Sequence, residues 1–208
     1  TYSPSIPLVN QPIAFNASSS KPEGGEIVEY SWDFGDGTKA EGITYIHTYQ
    51  EIGNYTVVLN VSDSEELWDI EKRIVTVSIH NIALKDLSAT PSTVQIGQQI
   101  SISVRIVNEG NFTETPELSA YYNNTLIEKK LVSDLATRDA ETITITWNTA
   151  NANPATYELK TAASTVPGEM KTDDNTLIAI VTVTKKTSQL ILGDLPETLT
   201  LGEETTIS

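Results

Sequence analysis

Two histidines and a few clustered carboxylates are the side chains in this chain whose types and spacing could do chemistry. Asp33 and Asp36 form the first pair, with His47 downstream. General acid–base work or metal binding would need these groups to converge with a nucleophile, a substrate-orienting donor or further ligands. The spacing points elsewhere. Asp33 and Asp36 flank Gly35 and Gly37, and a carboxylate beside glycine in a tight turn accepts backbone N–H groups. His47 lies among aromatics in Ile43–Tyr49, with no second histidine nearby, and reads as a packed core or interface residue. His80 falls in a different element, so no shared site follows. Asp173-Asp174-Asn175 could offer hard oxygens to a cation, but an Asp/Asn cluster entering a strand is read as a turn. The chain has no cysteine, which removes thiol catalysis and Cys-based zinc. A Gly-rich phosphate loop, a serine-nucleophile motif and His-containing metal spacing are also missing. The expectation is no enzyme, with no catalytic, cofactor-binding or metal-ligating residue.

The elements that would hold these residues are strands. Tyr30, Trp32 and Phe34 alternate with Glu29, Ser31 and Asp33, giving one aromatic face and one polar face. Gly35-Asp36-Gly37 then turns the chain. Around it, Ile13, Phe15 and Ala17, then Ile43–Tyr49, then Tyr55, Val57, Leu59 and Val61, and finally Ile74–Val77 repeat the two-residue period. Thr1–Val9 opens as an edge strand interrupted by Pro4 and Pro7. About seven short strands at this spacing predict an antiparallel sandwich over residues 1–79. Ser78–Asn81 lacks Gly/Ser-rich character, so a short, stiff joint is expected. A second sandwich follows over 80–184. Ile100, Ile102, Val104 and Ile106 alternate in one strand, and 118–122 and 125–131 form a hairpin across Asn123-Asn124. Ile143, Ile145 and Trp147, then Tyr157, Leu159 and Thr161, and finally 176–184 complete it. Residues 185–208 read as a linker and the opening strands of a truncated third module, expected to pair with an exposed strand edge.

The 208 residues leave room for two ordinary domains. Lys plus Arg is 13 and Asp plus Glu is 28, so 13 − 28 gives −15. That acidity opposes nucleic acid and anionic membrane. No stretch approaches the ~18 apolar residues of a membrane-spanning helix, and no signal peptide is seen. The start at Thr1-Tyr2-Ser3-Pro4 reads as mid-strand, so a fragment of a longer protein is expected.

Four motifs then carry a resemblance. Phe15–Ser20, Tyr30-Ser31-Trp32-Asp33-Phe34-Gly35-Asp36-Gly37-Thr38, His47-Thr48-Tyr49 and Gly53-Asn54-Tyr55-Thr56-Val57 resemble, in order and spacing, a polycystic-kidney-disease (PKD) domain. The resemblance implies an immunoglobulin-like sandwich used as a spacer or adhesion module in extracellular proteins. Some PKD domains of secreted proteases carry calcium on an Asp-x-Asp-Gly run before the aromatic strand. Here Pro22-Glu23-Gly24-Gly25-Glu26 stands instead, leaving Glu23 and Asp63, too few for the 6 to 8 oxygens calcium prefers. Val94–Gly97, Val104–Gly110, Ile145-Thr146-Trp147 and Asp173-Asp174-Asn175 resemble a CARDB (cell-adhesion-related) domain of bacterial and archaeal surface proteins.

The fold class is therefore all-β, two tandem immunoglobulin-like sandwiches. Asn16, Asn54, Asn60, Asn111 and Asn123 each open an Asn-x-Ser/Thr sequon, compatible with a glycoprotein if they face outward. Trp68, in the polar Glu65–Asp69 stretch, is the one aromatic candidate for an exposed contact, with a packed position beneath a loop as the commoner alternative. The functional expectation is a non-enzymatic extracellular segment of a cell-surface protein. Its partners would be other modules or copies of that protein, or a polysaccharide or protein ligand, with no nucleic acid and no membrane insertion. The alternative is the accessory binding region of a secreted hydrolase.

Overall fold

Alternating apolar side chains need two sheets to bury them, and the computed structural model, which describes residues 1–22 and 24–187, places them so. The first seven strands are β1 (Tyr2–Ser3), β2 (Ile13–Asn16), β3 (Ile27–Asp33), β4 (Lys39–Glu41), β5 (Thr44–His47), β6 (Gly53–Asp63) and β7 (Trp68–Val77). They form antiparallel sheets ordered β1-β2-β5 and β4-β3-β6-β7. Ile13 and Phe15 from the first sheet pack on Trp32, Val57, Val75 and Val77 from the second, with Phe34 and Tyr49 fully buried between. Phe15 lies 5.7 Å from Trp32 and 5.1 Å from Phe34. Contacts of this kind contribute roughly 0.5–1.5 kcal/mol each beyond buried area. The Trp32 indole N–H donates to the Gly42 carbonyl at 2.9 Å, so its polar end is satisfied. Gly35 has φ +77, and a Cβ there would stand 2.7 Å from the Thr56 carbonyl oxygen. Only glycine fits that close approach.

Two details differ from expectation in this sandwich. β4 has no apolar alternation and forms because the turn after Phe34 returns the chain along β3, pairing Ser31 with Glu41. The strand expected over Ile43–Tyr49 stops at His47, because Tyr49 leaves the ladder to bury its ring.

The second sandwich comprises β8 (Ile82–Thr90), β9 (Thr93–Gln95), β10 (Gln99–Asn108), β11 (Glu117–Tyr122), β12 (Thr125–Leu131), β13 (Ala140–Asn148), β14 (Ala155–Ala163) and β15 (Thr176–Thr184). Its sheets run β13-β10-β8 and β12-β11-β14-β15-β9. Of its eight strands, β9 carries no alternation long enough to be read from sequence. Pro91 lacks the N–H needed to extend β8, and the chain crosses to the other sheet, where Thr93 pairs in parallel with Thr182. The alternating residues of β10 are all buried. The hairpin turns at Asn123, whose φ is +46. Tyr122 stacks on Trp147 at 4.6 Å. The third-module strands expected within 185–208 lie outside the described residues.

The joint is tied on both sides. Ser78 donates its N–H to the Pro7 carbonyl at 3.0 Å, and its own carbonyl accepts from Val9 N–H at 3.0 Å. The next residues belong to the other module. Ile79 carbonyl accepts from Asn111 N–H at 2.9 Å, and Asn81 carbonyl accepts from Glu109 N–H at 3.0 Å. Ile79 N–H donates to Asn111 Oδ1 at 2.9 Å. A Cβ on Gly110 would stand 2.8 Å from Asn81 N and 2.9 Å from the Ile79 oxygen. The linker thus lies directly on the 108–111 turn.

Candidate functional site

The β3–β4 turn brings Asp33 and Asp36 to the places the sequence assigns, and β5 delivers His47 beside them. Asp33 Oδ1 accepts from Gly35 N–H at 3.0 Å, and Asp36 Oδ1 accepts from Thr38 N–H at 3.0 Å and from the Thr38 hydroxyl at 2.6 Å. Both are backbone acceptors, as expected. The pairing that sequence reasoning misses is Asp36 Oδ2 with His47 Nε2, 2.7 Å apart. A carboxylate only accepts, so Nε2 carries the proton. The His47 ring lies flat on Phe34 at 4.3 Å and meets Tyr49 edge-on at 4.6 Å. Tyr49 in turn donates its hydroxyl to the Phe34 carbonyl at 2.9 Å.

The electrostatics follow from these bonds. Burial raises Asp36, but the Thr38 hydroxyl and N–H, with His47, outweigh it and hold the carboxyl below its ordinary value. The Gly35 N–H, assisted by Lys39, does the same for Asp33. Burial first, then the Asp36 charge and Tyr55, push the Tyr49 phenol upward. The arrangement resembles a base held by an orienting carboxylate, yet its protons are already committed. The hydroxyl of Thr38 and the imidazole N–H both point at Asp36, and Phe34 covers one face of the ring. What the cluster does is staple the turn to β5.

The second histidine makes its own pair. His80 Nδ1 lies 2.6 Å from Glu114 Oε1, and its ring stacks on Phe112 at 4.1 Å. His47 and His80 share no site, as their separate elements predict. Asp63 is buried and accepts from Glu65 N–H at 2.9 Å and Leu67 N–H at 3.0 Å, a turn acceptor. Glu23 lies outside the described residues. Asp173 and Asp174 form a turn before β15, as read from sequence.

Trp68 is 70% exposed, so of its two sequence readings the exposed contact holds and the packed position beneath a loop does not. It starts β7, an edge strand, on the parity opposite the buried Val75 and Val77. Ile70 and Ile74 share that outer face and are also exposed. The even spacing of these apolar residues, opposite in parity to Val75 and Val77, is the sequence signal for that outer face. Asn16, Asn54, Asn60, Asn111 and Asn123 are all exposed. A cleft of about 520 Å³ between the modules is lined by Leu8, Asn10, His80, Met170 and Lys171 among others.

The lowered Asp36 value carries a pH consequence. A carboxyl depressed in the folded state contributes stability above its ordinary value of 3.8, and that contribution is lost as pH falls through the folded value. Asp36→Asn should cost about 1–3 kcal/mol near neutral pH by denaturant unfolding. The gap from the parent should narrow as pH falls below the ordinary carboxyl value of 3.8. An equal gap at both pH values would refute this.

Residues 4–78 match the family model described as PKD domain. Collagenase ColA of Bacillus cereus is 30% identical over 140 residues, covering 67% of this chain and 13% of that protein. Collagenase ColA of Clostridium perfringens is 31% identical over 141 residues, covering 67% and 12%. This chain therefore spans a small part of those relatives' length. Among solved structures, the CARDB domain of the PF1109 protein from Pyrococcus furiosus, in complex with di-metal ions, aligns with a TM-score of 0.45 at 18% identity, over 52% of this chain and 96% of that one. With its aromatic strand, its glycine-bounded Asp36 turn and its buried Tyr49, the segment from residue 4 to residue 78 is a PKD domain.

Proposed function

We propose that this chain is a non-catalytic, extracellular structural segment of a cell-surface protein, in which two sandwiches hold flanking parts at a fixed separation and orientation. The observation that carries it is the linker. Ser78 is hydrogen-bonded into the first module, and Ile79 and Asn81 into the second, so no residue between them is free to act as a hinge. Leu8 of the first module and His80 also close on Gly168, where a Cβ would lie 3.3 and 3.0 Å from them. The net charge of −15 keeps such a segment soluble and apart from anionic surfaces. Partners are then neighbouring modules or other copies of the same protein.

With no native cysteine, paired spin labels can be placed at Ser31→Cys and Lys129→Cys without interference. Electron–electron resonance should give one narrow distance distribution, and Gly110→Ala, which pushes the linker off its turn, should broaden it. A broad distribution in the parent would refute a stiff spacer.

A second reading, an accessory binding region of a secreted hydrolase, is favoured by the two collagenase relatives and by the outer face of β7. It predicts that the chain co-sediments with insoluble collagen and that Trp68→Ala abolishes this. Equal retention of parent and variant at background level would leave the spacer reading alone.

A further inference from the structure

The longest sheet edge among the described residues is β7. Its ladder with β6 runs from Val77 opposite Gly53 to Trp68 opposite Ser62 without a register shift. It holds no proline, and a long, unbroken edge of this kind is a template for another strand. The bond from Asp63 N–H to the Leu67 carbonyl sets which residues serve β6. Hydrogen-bonded pairs alternate along an antiparallel ladder, so the odd-numbered residues of β7 are spent on β6. Trp68, Ile70, Lys72, Ile74 and Thr76 therefore turn their backbone groups to the open side. Ile70 shows this directly, because its N–H donates to the carboxylate of its neighbour Asp69 at 2.8 Å. At Ser78 the same side is closed, since Pro7 and Val9 bond its N–H and carbonyl. The open edge thus runs from Trp68 to Thr76, with Lys72 at its centre.

A second copy of the chain fits that edge in one register. Two identical strands pair antiparallel about a two-fold axis, so every residue pair occurs twice. An axis through Lys72 uses all the open residues. It sets Trp68 against Thr76, Ile70 against Ile74 and Glu71 against Arg73. The Glu71–Arg73 pairs fall between the hydrogen-bonded ones, where facing side chains stand closest. Within one strand Glu71 Oε1 already lies 3.1 Å from Arg73 Nε, with both side chains largely exposed. Across the axis the four charges then alternate in sign. An axis one residue earlier would set Glu71 against itself, and one residue later Arg73 against itself. Either shift also leaves open residues unpaired. Lys72 against Lys72 is the one like-charge pair of the favoured register, and it lies on the solvent-facing side.

We infer that β7 is the surface by which two copies of this chain associate, edge to edge. The contact joins their two β4-β3-β6-β7 sheets into one. Trp68, Ile70 and Ile74, exposed in the single chain, meet their counterparts along its outer face. The inference rests on the reading of the chain as a spacer whose partners include copies of itself, and it gives that contact a place and a register.

The test is sedimentation equilibrium of the intact chain at about 0.15 M salt, which screens the mutual repulsion of two acidic chains. A concentration-dependent equilibrium between monomer and dimer is expected. Glu71, Lys72 and Arg73 are all exposed, so substitutions there should leave the fold intact. Glu71→Arg and Arg73→Glu each set like charges across the axis and should weaken the dimer at least about tenfold. Combining the two reversals should restore it. Lys72→Thr, which removes the like-charge pair, should strengthen it. Parent and Lys72→Thr both monomeric up to about 1 mM would overturn the contact, leaving the outer face of β7 to the collagen reading. A dimer indifferent to either single reversal would overturn it too, by placing the interface elsewhere. The spin-label distance across the joint separates this from the spacer reading. A monomer with a narrow distribution removes the contact and keeps the spacer, and a dimer with a broad one does the reverse.

Discussion

Backbone groups that leave one sandwich must find partners before entering the next, and the way Ser78–Asn81 meets that requirement governs the whole molecule. Here the partners are not water. Pro7 and Val9 take Ser78, and the turn at Glu109–Asn111 takes Ile79 and Asn81. The absence of a side chain at Gly110 lets the linker lie in contact with the turn. Asn108, fully buried, holds that turn in shape by donating to the Phe112 and Leu135 carbonyls and accepting from Gly110 N–H. The joint is therefore a small hydrogen-bonded element of its own, with the modules fixed at its ends.

Within the first module the same economy appears in another form. One turn, made by glycines on either side of Asp36, is locked three ways. Thr38 and His47 bond its carboxylate, Phe34 stacks on His47, and Tyr49 closes on the Phe34 carbonyl. Groups that could serve as acid, base and hydroxyl in another setting are here spent on one another. Their chemistry is that of a fastening.

Much of this was legible in the chain. Period-two alternation located β3, β6, β10 and β13, because half-buried strands must repeat that way. Asp33 and Asp36 could be recognised as turn acceptors from their glycine neighbours alone. What the sequence left out depends on contacts between distant segments. The Asp36–His47 bond needs β5 laid beside the turn. β4 exists only because its neighbour recruits it, and β9 only because β15 presents an edge. The outward parity of Trp68 is set by the buried Val75 and Val77 later in the strand. Gly110 gave no hint of its role, since the linker that presses on it lies some thirty residues earlier, at Ile79–Asn81.

The most direct measurement is backbone nitrogen relaxation by NMR, residue by residue, across both sandwiches in the intact chain. If the linker joins them as described, residues of β2–β7 and of β8–β15 will fit one common rotational diffusion tensor. Ser78–Asn81 will then be as rigid as the strands. Separate, faster tumbling for each sandwich, with elevated mobility at Ile79 and His80, would contradict a stiff joint and with it the spacer function.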